Sequence, residues 1–264
     1  FTSANLINSI YTEGRSLVIG KFYSSADLAF FNRGNQFPAL IVGNLNTPIS
    51  NVMLPLMAEK KDSQYALKSV LRKAMQLSAY LVFPMMGILA ACAHPLVLVL
   101  LGQKWAECVP YLQVACLFYL FQPLQSMNWQ ALKAAGQGAL CFKLEVIKKA
   151  ISFIVLIMSI PFGVFAISLS SAFCGFVSML INMTPNKKVL GYGIFEQLID
   201  VLKPSIATLF SVVIALLLIH ISNGNLISLI VAPLGSLGCY IVLSKLMNIE
   251  GFNLLMDKLS LRRN

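Results

Sequence analysis

Residues 101–149 read LGQKWAECVPYLQVACLFYLFQPLQSMNWQALKAAGQGALCFKLEVIKK, and this stretch decides the fold. It opens with a short polar loop, Gly102 to Glu107, that carries a tryptophan. An apolar segment follows, Val109 to about Leu132, long enough to cross a bilayer, which takes roughly 20 residues. The end is a basic loop with Lys133, Lys143, Lys148 and Lys149. A crossing with a nearly chargeless loop at one end and a lysine-rich one at the other predicts the orientation of its neighbours, because lysine-rich connections stay in the cytoplasm.

Composition agrees with a membrane chain. Of 264 residues, 58% are hydrophobic and only 11% charged, against about 25% charged in soluble domains. So few charges cannot cover a water-facing surface, so most of the surface must face lipid. The net charge of +10 would suggest nucleic acid in a soluble protein, but here the basic residues cluster between apolar segments, which predicts topology and excludes nucleic acid as a partner. The six cysteines, at 92, 108, 116, 141, 174 and 239, form no C-x-x-C pair. They read as small apolar residues, not as a metal or disulfide framework. No cofactor motif is present: there is no Gly-rich phosphate loop, nucleophile elbow or metal signature.

Eight segments qualify as spans: Ala4–Gly20, Phe37–Met57, Met75–Ala93, Val109–Leu132, Val146–Ile160, Val164–Met183, Val201–Ile221 and Leu226–Met247. Asn44, Asn46, Pro48 and Asn51 weaken the second, and the apolar tail Pro95–Leu101 extends the third or dips back. Connections after the even-numbered spans, with the tail, hold sixteen Lys and Arg, whereas the opposite connections hold three, Lys21, Arg33 and Lys104. A wrong count would scramble that segregation. The C-terminus is therefore expected in the cytoplasm, and the chain, opening at Phe1 inside a helix-like segment, is read as the C-terminal part of a longer protein. Pro84 and Pro123, inside spans, predict bends that serve either alternating access or packing alone.

The motifs of the opening stretch are Gly102-x-x-Trp105, Pro110-Tyr-Leu-Gln113, Pro123-Leu-Gln-x-x-Asn128, Leu132-Lys-Ala-x-Gly-Gln137 and Lys143-Leu-Glu-x-Ile-Lys-Lys149. With Leu17–Pro38, Asn51–Asp62 and Asn186–Ala207, they resemble the polysaccharide transporter family. These are Wzx-type flippases for lipid-linked oligosaccharides, within the multidrug/oligosaccharidyl-lipid/polysaccharide exporter superfamily. The resemblance implies an all-α, polytopic transmembrane bundle of about eight spans. Residues 1–193 would be the second six-helix lobe of a two-lobe exporter, and 194–264 two additional helices. It also implies a non-enzymatic protein of the bacterial plasma (inner) membrane. Its substrate would be a polyprenyl-pyrophosphate-linked oligosaccharide for O-antigen, capsule or exopolysaccharide. Further partners would be membrane lipids, the N-terminal lobe of the same chain and polysaccharide assembly proteins.

Candidate site residues follow from polar side chains at membrane depth. In the first span Asn5, Asn8, Ser9, Thr12, Glu13, Arg15 and Ser16 share one face, which must turn to water or protein. Arg15 either grips pyrophosphate oxygens with its planar fork or serves structurally, paired with a carboxylate such as Glu13 or snorkelling outward. Glu13 is a coupling carboxylate or, held ionised by Arg15, half of that pair. On the fourth span Gln122, Gln125 and Trp129 form a stripe with Asn128 beside it. These side chains suit sugar hydroxyls and faces, but amides also bond helices together and tryptophan also marks the interface. Arg33 and Lys21 fall in an outer loop, where they meet emerging substrate or are simply solvated. His94 and His220, far apart, read as interfacial. The substrate-binding set is thus Asn8, Thr12, Glu13, Arg15, Arg33, Gln125, Asn128 and Trp129. Three rival readings are an ion-coupled multidrug exporter, a membrane polysaccharide polymerase or ligase, and a structural anchor. The first would need a carboxylate-rich cavity, the second a large charged outer loop, and the third no polar first span.

Overall fold

The structure is a computed structural model that describes residues 14–222 and 228–261, with side chains as far as residue 256. Every regular element among these residues is helical. Helix α1 covers 14–22, and a two-residue turn leads into α2 (Ser25–Glu59). Then come α3 (Gln64–Ala91), α4 (Ala93–Leu100), a 3₁₀ turn (Gln103–Cys108), α5 (Val109–Ala134) and α6 (Gly138–Ser159). After a second 3₁₀ turn, Ile160–Phe162, follow α7 (Val164–Met183), α8 (Asn186–Leu190), α9 (Ile194–Ile221), α10 (Ser228–Leu246) and α11 (Glu250–Leu261). Gln64–Ala91, Val164–Leu190, Ile194–Ile221 and Ser228–Leu246 are long and apolar enough to cross a membrane on composition alone. Phe153, Phe165, Phe173, Leu209, Leu217 and Leu234 stand exposed around the bundle. Such an apolar girdle, over helices whose backbone bonds are satisfied internally, is what a bilayer requires. The protein is therefore an all-α, membrane-embedded helical bundle.

Helix starts differ from expectation for a common reason. Hydropathy reads only the apolar part of a helix, whereas polar residues continue it further, and at α2 and α3 side-chain caps fix the earlier start. Ser24 accepts from the Asp27 amide and Asp27 reaches back to the Ser24 amide, a capping box that opens α2 well before Phe37. Ser63 likewise caps α3 through the Ala66 amide. Lys21 and Arg33 therefore lie on α1 and α2, not in an outer loop. Lys143, Lys148 and Lys149 lie on α6, so the basic loop shrinks to residues 135–137. After α10 the chain forms a further helix, and α11 folds back on α3. Gly251 permits that, since a Cβ there would stand 2.5 Å from Tyr80 Cβ.

The apolar faces meet in two main cores. One, built on Leu71, Met75, Phe83, Met127, Met179 and Tyr192, sits toward the lysine-rich end. The other, built on Val42, Met86, Leu89, Val97, Leu112 and Cys116, sits toward the opposite end. α2 and α5 also approach closely. Gly34 lies there against the backbone of Tyr111 and Leu112, as small residues do where membrane helices pack.

At the lysine-rich end charges are paired across elements. Lys68 reaches Glu196 at 2.8 Å and the Gly191 carbonyl at 2.7 Å. Arg72 pairs with Asp200, which also accepts from Tyr192 Oη at 2.6 Å. Burial pushes the Tyr192 phenol above its ordinary range, and the bond to the Asp200 carboxylate pushes it the same way.

Candidate functional site

Along α2, Asn32, Gln36, Asn44, Thr47 and Asn51 recur at helical spacing and all are exposed. At 100° per residue they share one face with the exposed Leu40 and Leu54, opposite the buried Phe31, Gly34, Pro38 and Val42. α2 is not among the four helices apolar enough to cross a membrane on composition, and in a membrane-embedded bundle its uncovered amides must meet water or another protein surface, since lipid would penalise each one. The end of this face nearest the 3₁₀ turn is furnished. The Arg33 guanidinium stacks on Trp105 with its carbon 4.9 Å from the ring centre, and donates to Gln36 Oε1 at 2.7 Å. A shallow cleft of about 550 Å³ lies between Asn32, Arg33, Asn35, Gln36 and Trp105. From α1, Ser16 Oγ donates to Asn32 Oδ1 at 3.1 Å. Chemically, the cleft offers amides, a guanidinium and an aromatic face, the groups that bind hydroxyls, anionic oxygens and sugar rings.

The expected site residues fall into separate places. Asn8, Thr12 and Glu13 lie outside the described residues. Arg15 is on α1, only 9% exposed, and so is held inside the bundle next to Ser16. Arg33 joins the cleft. Gln125 donates to the Gly175 carbonyl of α7 at 2.9 Å, and Asn182 of α7 returns a bond to the Gln125 carbonyl at 3.2 Å. Asn128 is fully buried, donates to Leu124 O at 2.8 Å and accepts from Asn186 Nδ2 at 2.6 Å. Both amides are thus engaged in interhelical bonds linking α5, α7 and α8. Trp129 stands at the lysine-rich end between the ammoniums of Lys148 and Lys133, 4.7 and 5.4 Å from its ring centre. The sequence reading missed the α2 stripe and Trp105. The signal is present in the sequence as polar residues at helical spacing, of which Asn44 and Asn51 count in the sequence reading only as a weakness of the second span. Among the described residues no group of three or more His, Cys, Asp or Glu is placed to hold a metal ion.

This architecture defines a class. The fold matches that of "Lipid II flippase MurJ, inward closed conformation", with a TM-score of 0.74 over 90% of this chain and 51% of that one, at 14% identity. Residues 1–110 match the family described as "Polysaccharide biosynthesis protein". The chain is 24% identical over 140 residues to the teichuronic acid biosynthesis protein TuaB of Bacillus subtilis (strain 168), which is 53% of this chain and 29% of that one. It is 26% identical over 139 residues to the succinoglycan biosynthesis transport protein ExoT of Rhizobium meliloti (strain 1021), 53% of this chain and 28% of that one. It is 23% identical over 147 residues to the lipopolysaccharide biosynthesis protein WzxC of Escherichia coli (strain K12), 56% of this chain and 30% of that one. The matched stretches thus span under a third of each of these relatives. The chain is thus similar over about half its length to polysaccharide biosynthesis and transport proteins, and its fold is that of the MurJ structure.

Proposed function

We propose that the chain is one half of a two-lobed flippase that moves polyprenyl-pyrophosphate-linked oligosaccharide across the bacterial plasma membrane for surface polysaccharide synthesis. In this reading residues 1–193 are a lobe facing a second one across a central cavity, and residues 194–264 are an added helical pair. The observation that carries it is the uncovered amide face of α2, which lines that cavity. The face bears no Asp or Glu between Asp27 and Glu59. Amides without carboxylates suit neutral glycan hydroxyls better than the cationic cargo or coupling ions of a drug exporter. Arg33 at its mouth, and Arg15 behind it, supply positive charge for the pyrophosphate. No bond is broken; the lobes rock and the head group changes side while its lipid tail stays in the bilayer. Sixteen basic residues in one set of sequence connections against three in the other support a cytoplasmic C-terminus.

The test uses the complete protein in its native cell, with the leaflet location of the lipid-linked saccharide as readout. Asn44→Leu with Asn51→Leu, and Arg15→Ala, should trap finished units on the inner leaflet, whereas Phe173→Leu on the lipid face should not. Normal export in the α2 double variant would end this reading. Export intact but drug susceptibility raised would replace it with a multidrug exporter, and units delivered outside but left unpolymerised would indicate a polymerase.

A further inference from the structure

Prolines sit inside α2, α3, α5, α9 and α10. Each leaves one main-chain oxygen without its helical donor, that of the residue four positions earlier. In α3 the proline is Pro84, and the oxygen belongs to Tyr80. This one is not left bare. Tyr240 Oη, reaching over from α10, donates to the Tyr80 carbonyl at 3.0 Å, and the bond is buried. Among the described residues no other carbonyl freed by a proline within a helix takes a side-chain donor. The side chains close on the same turn of α3. The Tyr80 and Tyr240 rings lie 5.2 Å apart, tilted by 35°. Phe252 of α11 meets Tyr80 edge-on at 6.3 Å. Gly251 brings the α11 backbone up to Tyr80 and to the Gln76 carbonyl. Tyr80 and Tyr240 are 7% and 2% exposed, so water does not compete for the carbonyl.

A buried acceptor without a donor costs about as much as a broken hydrogen bond, and a buried tyrosine hydroxyl without an acceptor is penalised in the same way. Pro84 and Tyr240, far apart in the chain, each remove the other's deficit. We propose that Tyr240 is a positioning residue for α3. Its hydroxyl takes the place of the main-chain donor that Pro84 lacks, and α10 and α11 together clamp the bend that a proline imposes on a helix. The coupling runs both ways. Straightening α3 at Pro84 draws the carbonyl away from Tyr240, and lifting α10 strips the carbonyl of its donor, so each movement resists the other. The last helices of the chain then govern the shape of the lobe they pack on. Nothing in this depends on what the bundle transports.

The experiment is a double-mutant cycle on the complete purified protein in detergent, read by thermal unfolding and by hydrogen exchange. Tyr240→Phe keeps the ring and its packing and removes only the hydroxyl. It should lower the melting temperature by about 4 °C, the effect of orphaning one buried acceptor. Amides of residues 81–89 should exchange about tenfold faster as the clamp opens. Pro84→Ala supplies the missing N–H within α3. In that background Tyr240→Phe should leave the melting temperature and the exchange unchanged, or raise the former, because the hydroxyl has become a buried donor with nothing to satisfy. An equal loss from Tyr240→Phe in both backgrounds would overturn the proposal, since the hydroxyl would then serve the packing of α10 alone. So would a Tyr240→Phe variant that melts and exchanges like the parent.

Discussion

Gly34→Ala is the sharpest test of how α2 is held. A methyl group there would stand 2.7 Å from Tyr111 Cβ, 2.8 Å from the Leu112 nitrogen and 2.9 Å from the Tyr111 carbonyl carbon. Carbon atoms in contact prefer about 3.5–4.0 Å. Two of the three obstacles are backbone, and a Cβ has no rotamer, so α2 and α5 must part by about 1 Å. Overpacking costs typically about 1–3 kcal/mol, and an obstacle that cannot rotate belongs near the upper end. Alanine recovers up to about 1 kcal/mol through its better helix propensity. The net loss is about 2 kcal/mol, or a melting temperature lower by about 4–8 °C for a chain of this size. Gly43 on the same helix is the matched control, because a Cβ there meets nothing within 4 Å. Gly43→Ala should leave the melting temperature unchanged or raise it. Thermal unfolding of both variants in detergent decides the matter, and equal shifts of the same sign would refute the packing argument. In the complete protein, Gly34→Ala should also slow transport, because parting α2 from α5 re-aims the amide face.

Three further expectations concern the lysine-rich end. Asp200, whose side chain is 5% exposed, holds both Arg72 and Tyr192, whereas Glu196 is 54% exposed. Asp200→Asn should therefore destabilise by about 1–3 kcal/mol while Glu196→Gln stays within error of the parent in the same melt. A double-mutant cycle on Asn128→Leu and Asn186→Leu should give a coupling of about 0.6 kcal/mol and no more than about 1.7, the measured span for side-chain bonds between membrane helices; zero coupling would mean the 2.6 Å bond does not persist. The raised Tyr192 phenol sets a pH dependence: the unfolded chain ionises first, near about pH 10, so its contribution is intact below that and fades as pH rises through it. The fall in stability above pH ~10 should be shallower in Tyr192→Phe.

Span by span, the sequence was legible wherever helix and hydrocarbon end together. Val164–Met183 was anticipated to the residue, because Gly163, with φ 95°, stops the preceding turn where the apolar run begins. Val109 was anticipated as the start of α5 for a similar reason, a polar 3₁₀ turn running directly into apolar residues. α2, α3, α6 and α9 begin early because polar residues continue the helix beyond the apolar run, where hydropathy is blind; side-chain caps mark the start of α2 and α3 but not of α6 and α9. α11 was missed since twelve residues cannot span and its packing on Tyr80 is a tertiary fact. Polar residues at depth were recognised as important, but their roles depended on partners far along the chain. Gln125 and Asn128 meet Gly175 and Asn186, fifty or more positions away, and no local pattern announces that. Arg33 was singled out correctly as a charge and misplaced as a loop residue, since the capping box at Ser24 was not read.

The three prolines inside α2 have a consequence of their own. A proline has no N–H, so the carbonyl four residues earlier is left without its helical donor. Pro38, Pro48 and Pro55 thereby release the oxygens of Gly34, Asn44 and Asn51. Two of these belong to residues of the uncovered face, so α2 presents main-chain acceptors beside its amide side chains. Main-chain oxygens take no part in the identity of their own side chain: they survive substitution of Asn44 or Asn51, are re-paired only when Pro48 or Pro55 gives way to a residue with an N–H, and accept from any hydroxyl, whatever the stereochemistry of the ring that carries it. On the proposed function, the freed oxygens of Asn44 and Asn51 would offer a glycan two main-chain acceptors beside the amide side chains. Tolerance of varied sugar sequences would then be a property of the backbone, with selectivity left to the few groups, such as Arg33 and Trp105, gathered at the mouth.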